Sequence, residues 1–242
     1  MPLGALPPAE RKIYEAIRET GAIFAMDADC PPLPITTTVI RSQPALFPGK
    51  VRTNLPPHFL LASGRHTAKF FQMSLALRYS HVSYLIAQKI KDQLERVGLL
   101  KEIEVLLGPP MGSLPLIYAL HQLIDSPSLE AMYLERTTRR GFRLSRGFDI
   151  SGKQVLWVDD VFTSGGAITQ ARLACEEFCK AYEVGYFPRG IAVALNRSPT
   201  SALPLAVRAP ALTIVSALEY PVEDWSTEEC PPCADGHPLV KI

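Results

Sequence analysis

Two adjacent carboxylates, Asp159 and Asp160, stand where an apolar run gives way to hydroxyls and glycines, in the segment VLWVDDVFTSGGAI over 155–168. At the end of a strand, both carboxylates can reach a polyol or a metal ion bound to it. The residues that follow offer hydroxyl donors, a backbone that can approach a phosphate closely, and the N-terminus of a helix. The candidate phosphate-binding residues are Thr163, Ser164, Gly165, Gly166 and Ala167. The plainer alternative is a strand–turn–helix with an acidic turn.

Two familiar phosphate-binding patterns are absent from this segment. It has no Gly-Lys-Ser/Thr, which the P-loop requires, and no Gly-x-Gly-x-x-Gly, which the dinucleotide-binding fold uses. The segment therefore indicates a different kind of anion and polyol site.

A second candidate loop, GPPMGSLP over 108–115, follows one predicted strand and precedes a helix, so its N–H groups can face an anion. The alternative is a simple proline turn. Its candidate residues are Pro110, Met111, Gly112 and Ser113. Arg197 follows another strand, and its planar guanidinium suits bidentate binding of a carboxylate or carbonyl.

A basic loop, ERTTRRGFRLSRG over 135–147, contains five arginines and no lysine. Arginine can neutralise a polyanion and bind it bidentately, but its high pKa makes it a poor proton donor. The candidate catalytic residues are Arg136, Arg139 and Arg140 of this loop, together with Asp160. The alternative is a solvated basic loop without a ligand.

The C-terminal segment contains Cys230 and Cys233 in a Cys-x-x-Cys, followed by His237. These residues offer three zinc ligands, whereas a structural zinc site has four, so Cys30 or a neighbouring chain would have to complete it. The alternative is a pair of free thiols. Cys175 and Cys179 lie one helical turn apart and are expected to pack in the core.

The elements that must position these residues alternate between strand and helix. We predict helices over 8–20, 80–98, 114–124 and 167–181, and strands over 59–62, 69–72, 104–107, 131–134, 154–158 and 190–195. The alternation predicts an α/β fold with a mostly parallel sheet. Ligands of such sheets bind beyond the carboxyl ends of the strands, where the loops named above begin.

Bulk properties narrow the setting of the chain. Its 242 residues suit one α/β domain with an added subdomain. The net charge of +1 gives no reason to expect nucleic acid as a partner, and the apolar stretch 203–218 is interrupted by an arginine and two prolines, which disfavours a membrane span. An odd number of scattered cysteines and an N-terminus without a signal-like pattern predict the cytoplasm.

The segment 155–168 resembles the signature of the type I phosphoribosyltransferases. The resemblance implies that Asp159 and Asp160 hold the ribose of 5-phosphoribosyl-1-pyrophosphate (PRPP), directly or through Mg²⁺. It also implies that residues 163–167 hold the 5′-phosphate. The family often has Thr or Ser where this chain has Ala167, and backbone donors can compensate for that hydroxyl.

Further segments resemble the orotate branch of that family. HFLLASGRHTAKFF over 58–71 resembles its N-terminal strand pair, which places His66, Phe70 and Phe71 at the base site, although either Phe could equally be a core residue. The loop 108–115 resembles the pyrophosphate loop. The Asn196-Arg197 pair stands where the branch has Asp-Arg, with the Arg contacting orotate.

The resemblance implies a core sheet over about 80–220 and a small hood subdomain made by N- and C-terminal segments, with hood strands over 58–72. We expect an N-terminal helix and proline-rich insertion over 1–57, a phosphoribosyltransferase domain over 58–220 and a Cys-containing tail over 221–242. The implied activity is a Mg²⁺-dependent transferase of pyrimidine nucleotide synthesis, joining orotate to PRPP in a homodimer. Two alternatives remain: transfer to a purine base, or PRPP binding without turnover. In the orotate branch, the loop that corresponds to 135–147 carries a catalytic lysine that reaches into the neighbouring subunit's site. The lack of that lysine, the altered Asn196 and the insertion favour binding without turnover.

Overall fold

The computed structural model describes residues 5–26, 55–61, 63–137, 141–145, 147–198 and 212–241. The chain divides into two compact units. The first contains the chain up to Ala16 together with Met73–Pro221, and the second contains Ile17–Gln72 together with Val222–Ile242. Within the described residues, no helix combines the length and the apolar composition that crossing a bilayer requires.

The first unit is built on a six-stranded sheet in the order β10-β9-β8-β5-β6-β7. All neighbouring strands pair in parallel except β7, which is antiparallel to β6. The strands are β5 (Val105–Gly108), β6 (Glu130–Arg136), β7 (Phe142–Leu144), β8 (Gln154–Phe162), β9 (Phe187–Asn196) and β10 (Thr213–Glu219). The prediction of an α/β fold with a mostly parallel sheet is confirmed.

The strand order reverses between β5 and β8. From β5 the chain crosses through α4 (Leu114–Ile124) to β6 on one side, whereas from β8 it crosses through α5 (Gly166–Ala181) to β9 on the other. Loops that diverge in this way open a crevice at the carboxyl edge of the sheet, which is where ligands of doubly wound folds bind. The loop 108–113 and the segment 159–166 both begin at this point.

Apolar side chains on both faces of the sheet explain why helices cover it on both sides. Every residue of β5 is buried. Alternate residues such as Leu107 and Trp157 join one core cluster with Ile168 and Cys175 of α5. The residues between them, including Leu106 and Leu156, are also fully buried. They lie on the opposite face because strand side chains alternate.

Two further helices of this unit precede the sheet: α2 (Met73–Leu77) and α3 (Ser80–Arg96). The apolar face of α3 is buried at Val82, Ile86, Ile90 and Leu94. The predicted helix over 80–98 ends at Arg96, and Val97 beyond it is half exposed. Tyr79 is the N-cap residue, and its side chain makes no capping hydrogen bond.

The second unit contains two small sheets. One has the order β11-β3-β2-β12 and the other pairs β1 with β4. Its strands are β1 (Ile23–Ala25), β2 (His58–Leu60), β3 (His66–Thr67), β4 (Lys69–Phe71), β11 (Asp224–Trp225) and β12 (Leu239–Lys241). A short helix, α6 (Pro231–Ala234), precedes β12, and α1 (Pro8–Glu19) spans the boundary between the units in sequence. The unit thus combines N- and C-terminal segments, as the predicted hood does.

The predicted pairing within 58–72 was wrong. The strand beginning at His58 pairs with β3, not with the strand at Lys69, which pairs with Ile23–Ala25 instead. A tight turn at Gly64, whose φ is 82°, joins β2 directly to β3. Ala68 then separates β3 from β4. The proline-rich stretch 27–54 and the stretch 199–211 lie outside the described residues.

Candidate functional site

The carboxylate pair lies inside β8, not after it. The sequence predicts a strand that ends at Val158, but β8 continues to Phe162 because β9 is long enough to pair with it. Asp159 is buried and Asp160 is partly buried. The backbone N–H of Asp160 donates to Asp159 Oδ1 at 2.9 Å, and the N–H of Val161 donates to Asp160 Oδ1 at 2.8 Å. Both carboxylates are therefore fixed by the strand that carries them.

Burial makes the charged form of this carboxylate pair unfavourable. Burial raises the pKa of Asp159 well above its ordinary value, and the neighbouring Asp160 carboxylate raises it further. Burial likewise raises the pKa of Asp160. Two carboxylates in one poorly solvated position favour a cation or a set of hydrogen-bond donors between them.

The loop 108–113 lies directly against these carboxylates. A Cβ atom added to Gly112 would stand 2.3 Å from Asp160 Oδ2, so a larger residue there would have to displace the loop or the carboxylate. A Cβ atom on Gly108 would stand 2.3 Å from the backbone oxygen of Val158. Ser113 is fully buried, and its hydroxyl donates to the carbonyl of Pro109 at 2.5 Å. Met111 extends into solvent, and the peptide bond before it is cis. The loop and the carboxylates thus form one site.

The predicted phosphate-binding residues lie in the turn between β8 and α5. Gly165 is the N-cap residue and has the left-handed φ of 73°, which glycine adopts without strain. Thr163, Ser164 and Ala167 are exposed, so their backbone and side-chain donors can reach a ligand. Gly166 begins the helix, whose free N–H groups favour an anion at this end.

Arg197 lies beside the same edge of the sheet. Asn196 pairs with Phe162 at the carboxyl end of β8, and the N–H of Arg197 donates to the carbonyl of Phe162 at 2.8 Å. The Arg197 residue is only 5% exposed. Asn196, which stands where the orotate branch has Asp, has a structural role: its Oδ1 accepts a hydrogen bond from the N–H of Ser198 at 3.0 Å.

The described residues of the basic loop include the end of β6 and the whole of β7, which pair as an antiparallel hairpin. Arg143 Nε and Nη2 donate to Glu135 Oε2 at 2.9 and 2.7 Å, and Ser145 donates to Glu135 Oε1. Arg136 is exposed and lies 6.0 Å from the ring centroid of Phe142. Arg139 and Arg140, the other predicted catalytic arginines, lie outside the described residues.

Comparison with known proteins decides the family. The chain is 34% identical over 193 residues to the orotate phosphoribosyltransferase of Caldicellulosiruptor bescii, covering 77% of this chain and 88% of the relative. It is 31% identical over 197 residues to that of Pelotomaculum thermopropionicum, covering 79% and 91%. This chain belongs to the orotate phosphoribosyltransferase family. No protein-family model matches it.

Solved structures of orotate phosphoribosyltransferases share the fold. That of Aeropyrum pernix has a TM-score of 0.56 at 17% identity and covers 86% of this chain and 93% of its own. That of Mycobacterium tuberculosis in complex with PRPP has a TM-score of 0.50 at 18% identity and covers 88% and 96%. The predicted family, fold and enzyme class, a pentosyltransferase of pyrimidine biosynthesis, are therefore confirmed.

The three base-site candidates from the N-terminal strand pair lie in the second unit. Phe71 is 2% exposed and pairs with Ile23, as a core residue does. Phe70 is partly buried, with its ring 6.2 Å from that of Phe24. His66 is buried beside His58, with ring centroids 5.3 Å apart.

The cysteine tail forms a cluster different from the predicted one. Ligand atoms of His58, His66, Cys230 and Cys233 all lie within 4.8 Å of one another. His237 is not among them: its Nδ1 contacts the carbonyl of Pro56 at 2.9 Å. The structure thus places the predicted third ligand, His237, outside this cluster, because the turn after α6 directs the chain onwards towards β12. Cys175 and Cys179 are buried in the core, as expected.

Two residues escaped the sequence reasoning. Glycine is required at position 108 because the backbone of β8 approaches it closely. In the sequence, the only indication of this requirement was its place at the end of an apolar strand. His58 was not predicted as a ligand, because it only begins the segment 58–71. Its separation of eight positions from His66, across a Ser-Gly turn, was the available signal that both could lie on one hairpin.

Proposed function

We propose that this chain transfers the 5-phosphoribosyl group of PRPP to a ring nitrogen of orotate and releases pyrophosphate, forming orotidine 5′-monophosphate. The observation that carries the proposal is the approach of Gly112 to the Asp159–Asp160 pair at the point where the strand order reverses. Membership of the orotate phosphoribosyltransferase family supports the choice of base.

The ribose and 5′-phosphate of PRPP have adjacent partners in this proposal. Asp159 and Asp160 accept hydrogen bonds from the ribose hydroxyls, because ionised carboxylates are acceptors only. The turn 163–167 surrounds the phosphate with backbone N–H groups, hydroxyls and the N-terminus of α5. Both groups belong to one ligand, and β8 and its following turn hold both sets of partners.

The reaction breaks the bond from ribose C1 to the pyrophosphate oxygen and forms a bond from C1 to the base nitrogen, which gives up its proton. Negative charge grows on the departing pyrophosphate, and positive character grows on C1. The loop 110–113 and the arginines of the hairpin stabilise the leaving group. Arg197 binds the orotate carboxylate, so that the two reactants are held in position.

A Mg²⁺ ion belongs to this proposal as well. The buried carboxylate pair fits a hard dication, since carboxylate oxygens are its usual protein ligands. Asp159 and Asp160 would hold it directly or through the ribose, and its charge would offset that of pyrophosphate.

Calorimetry should detect PRPP binding that requires Mg²⁺ in the wild type and is lost in the Asp159→Asn/Asp160→Asn double variant. Unchanged affinity in the folded double variant would contradict the assignment.

The activity is tested by measuring pyrophosphate release with orotate, uracil, hypoxanthine, guanine and adenine. We expect turnover with orotate alone. Turnover with a purine but not with orotate would replace the proposed substrate. Tight PRPP binding without turnover on any base would indicate a regulator and would point to the absence of lysine from the loop 135–147.

We also propose a homodimer in the cytoplasm, with no nucleic-acid partner. The resemblance to enzymes that share a basic loop between two subunits supports the dimer, and the free thiols among the described cysteines suit a reducing compartment. Light scattering should give twice the mass of one chain. A monomer with full activity at micromolar concentration would contradict the dimer, and recovery of the native protein in the membrane fraction would contradict the location.

A further inference from the structure

We propose that His58, His66, Cys230 and Cys233 together bind one Zn²⁺ ion, which fastens the C-terminal segment to the β2–β3 hairpin. Two imidazoles from adjacent strands and two thiols from one turn converge here, although 175 residues separate His58 from Cys233. The inference does not depend on the proposed transferase activity.

The distances within this His₂Cys₂ cluster match those of a tetrahedral zinc site. Cys233 Sγ lies 3.2 Å from His58 Nε2 and 3.2 Å from His66 Nδ1. Zinc binds sulfur at about 2.3 Å and nitrogen at about 2.0–2.1 Å, so neighbouring ligand atoms of a tetrahedron are about 3.3–3.8 Å apart. All four ligand atoms fall within 4.8 Å, so small side-chain rotations suffice to close the tetrahedron.

The tautomer of His58 is the one that a metal requires. Its Nδ1 lies 2.9 Å from the carbonyl oxygen of Pro238, which can only accept, so Nδ1 carries the proton. The lone pair of Nε2 therefore points towards the cluster. Metal-ligating histidines are commonly held by this kind of hydrogen bond to a backbone carbonyl.

The local backbone also favours the site. Cys230 is the N-cap residue of α6 and Cys233 lies one turn later, which is the short spacing that lets two thiolates bind one ion. Leu60 pairs with His66 in the β2–β3 ladder, so His58 and His66 lie diagonally on the same face of the hairpin. Two elements thus supply two ligands each.

Four protein ligands leave no open position, so the ion has a structural role. His58, His66 and Cys230 are each at most 2% exposed, and Cys233 is partly buried. Two thiolates with two imidazoles select zinc among the common divalent ions, since Mg²⁺ and Ca²⁺ prefer oxygen. With His66 used as a ligand, its imidazole is no longer available to contact the base.

The ion would reinforce the contact between β2 and the C-terminal segment, which backbone hydrogen bonds already hold together. The backbone N–H of His58 donates to Pro238 O at 2.9 Å, and β12 pairs in parallel with β2 from Leu239 onwards. Zinc would therefore hold the two chain segments of this unit together, and its removal should loosen the C-terminal segment before the rest of the protein.

The first experiment uses the full-length wild type. Metal analysis after dialysis should find about one zinc per chain, as a single closed site requires. Replacement of zinc by Co²⁺ should give thiolate-to-metal charge-transfer bands and intense visible bands of tetrahedral Co²⁺. A protein that takes up neither ion after reduction and reconstitution, or that forms a Cys230–Cys233 disulfide instead, would overturn the proposal.

Matched variants then identify the ligands. Cys233→Ser and His66→Ala should each weaken Zn²⁺ binding at least about tenfold in competition with a chromophoric chelator, since even the loss of an outer-shell partner has an effect of that size. His237→Ala and Cys179→Ser, a nearby imidazole and a buried thiol outside the cluster, should bind zinc as the wild type does. Loss of zinc in His237→Ala with retention in His66→Ala would overturn the assignment. If a ligand variant does not fold, the Co²⁺ spectrum of the wild type decides alone.

Discussion

Gly112 and Asp160 constrain each other closely in the candidate site. Because a Cβ atom on Gly112 would stand 2.3 Å from Asp160 Oδ2, Gly112→Ala must displace either the loop or the carboxylate. We expect kcat/KM for PRPP to fall at least about tenfold, or about 1.4 kcal/mol in transition-state stabilisation. Steady-state pyrophosphate release measures it. Gly185→Ala is the control, since a Cβ atom there meets nothing within 4 Å; equal kinetics for both variants would contradict the argument.

Arg197 is the residue on which the choice of an anionic base depends. Removing a charged hydrogen bond costs about 1.5–3 kcal/mol, so Arg197→Ala should raise the KM for orotate about ten- to a hundredfold. The affinity for PRPP should stay near that of the wild type. Arg189→Ala, at the exposed start of the same strand, is the matched control. Equal losses for both substrates in Arg197→Ala would indicate a general structural role instead.

At the scale of elements, the turn into α5 depends on one glycine more than on its neighbour. Gly165 has a φ of 73°, whereas a Cβ atom on Gly166 would meet only Ser164 Oγ at 3.6 Å, an ordinary contact. Gly165→Ala should therefore lower the free energy of unfolding by about 1–2 kcal/mol, while Gly166→Ala should change it by less than about 0.5 kcal/mol. Urea denaturation of the two variants tests this difference. Equal stabilities would mean that the turn relaxes without strain.

The elements also show where a local pattern misleads. The strand that carries Asp159 and Asp160 is longer than its apolar run, because pairing with β9 keeps polar residues extended. The partner of β2 was misassigned because β3 has only two residues, His66 and Thr67, which is too short to give an alternating apolar pattern. Strand pairing depends on tertiary contacts that a single strand does not encode.

For the whole molecule, the buried carboxylates link stability to pH. The pKa of Asp159 is raised in the folded state by burial and by the nearby Asp160 carboxylate, so its charged form destabilises the fold. That penalty is absent below the ordinary aspartate pKa of about 3.9, grows as the pH rises towards the raised pKa, and persists above it. The buried carboxylate pair therefore lowers the stability of the ligand-free protein at neutral pH.

Asp159→Asn removes this penalty, and we expect the ligand-free variant to be more stable at neutral pH by about 1 kcal/mol, which is about 2–4 °C in Tm for a chain of this size. The gain should vanish near pH 4, at about the ordinary aspartate pKa. Thermal unfolding at the two pH values measures it, with Asp92→Asn on α3 as the control. A Tm gain of the same size at both pH values, or a loss at neutral pH, would contradict the electrostatic explanation. Mg²⁺ with PRPP should stabilise the wild type but not the variant.

The sequence by itself determined what is local along the chain. The alternation of strands and helices, the helix over 114–124 and the motif 155–168 each depend on a few consecutive residues, because periodicity and turn chemistry act over that range. They sufficed for the α/β fold and for the family. They also placed the carboxylates and the glycine turn next to one another, since a single strand–turn–helix carries both.

Only the tertiary structure decided which distant residues meet. The contact between Gly112 and Asp160 arises because β5 and β8 are neighbours in the sheet. The sequence of neither strand specifies this order. Likewise, the prediction of Cys230, Cys233 and His237 took ligands from one short segment. The structure instead joins the two cysteines to His58 and His66, because β12 pairs with β2 and carries the preceding turn to the hairpin. Long-range strand pairing, which no local pattern encodes, brings these four side chains together.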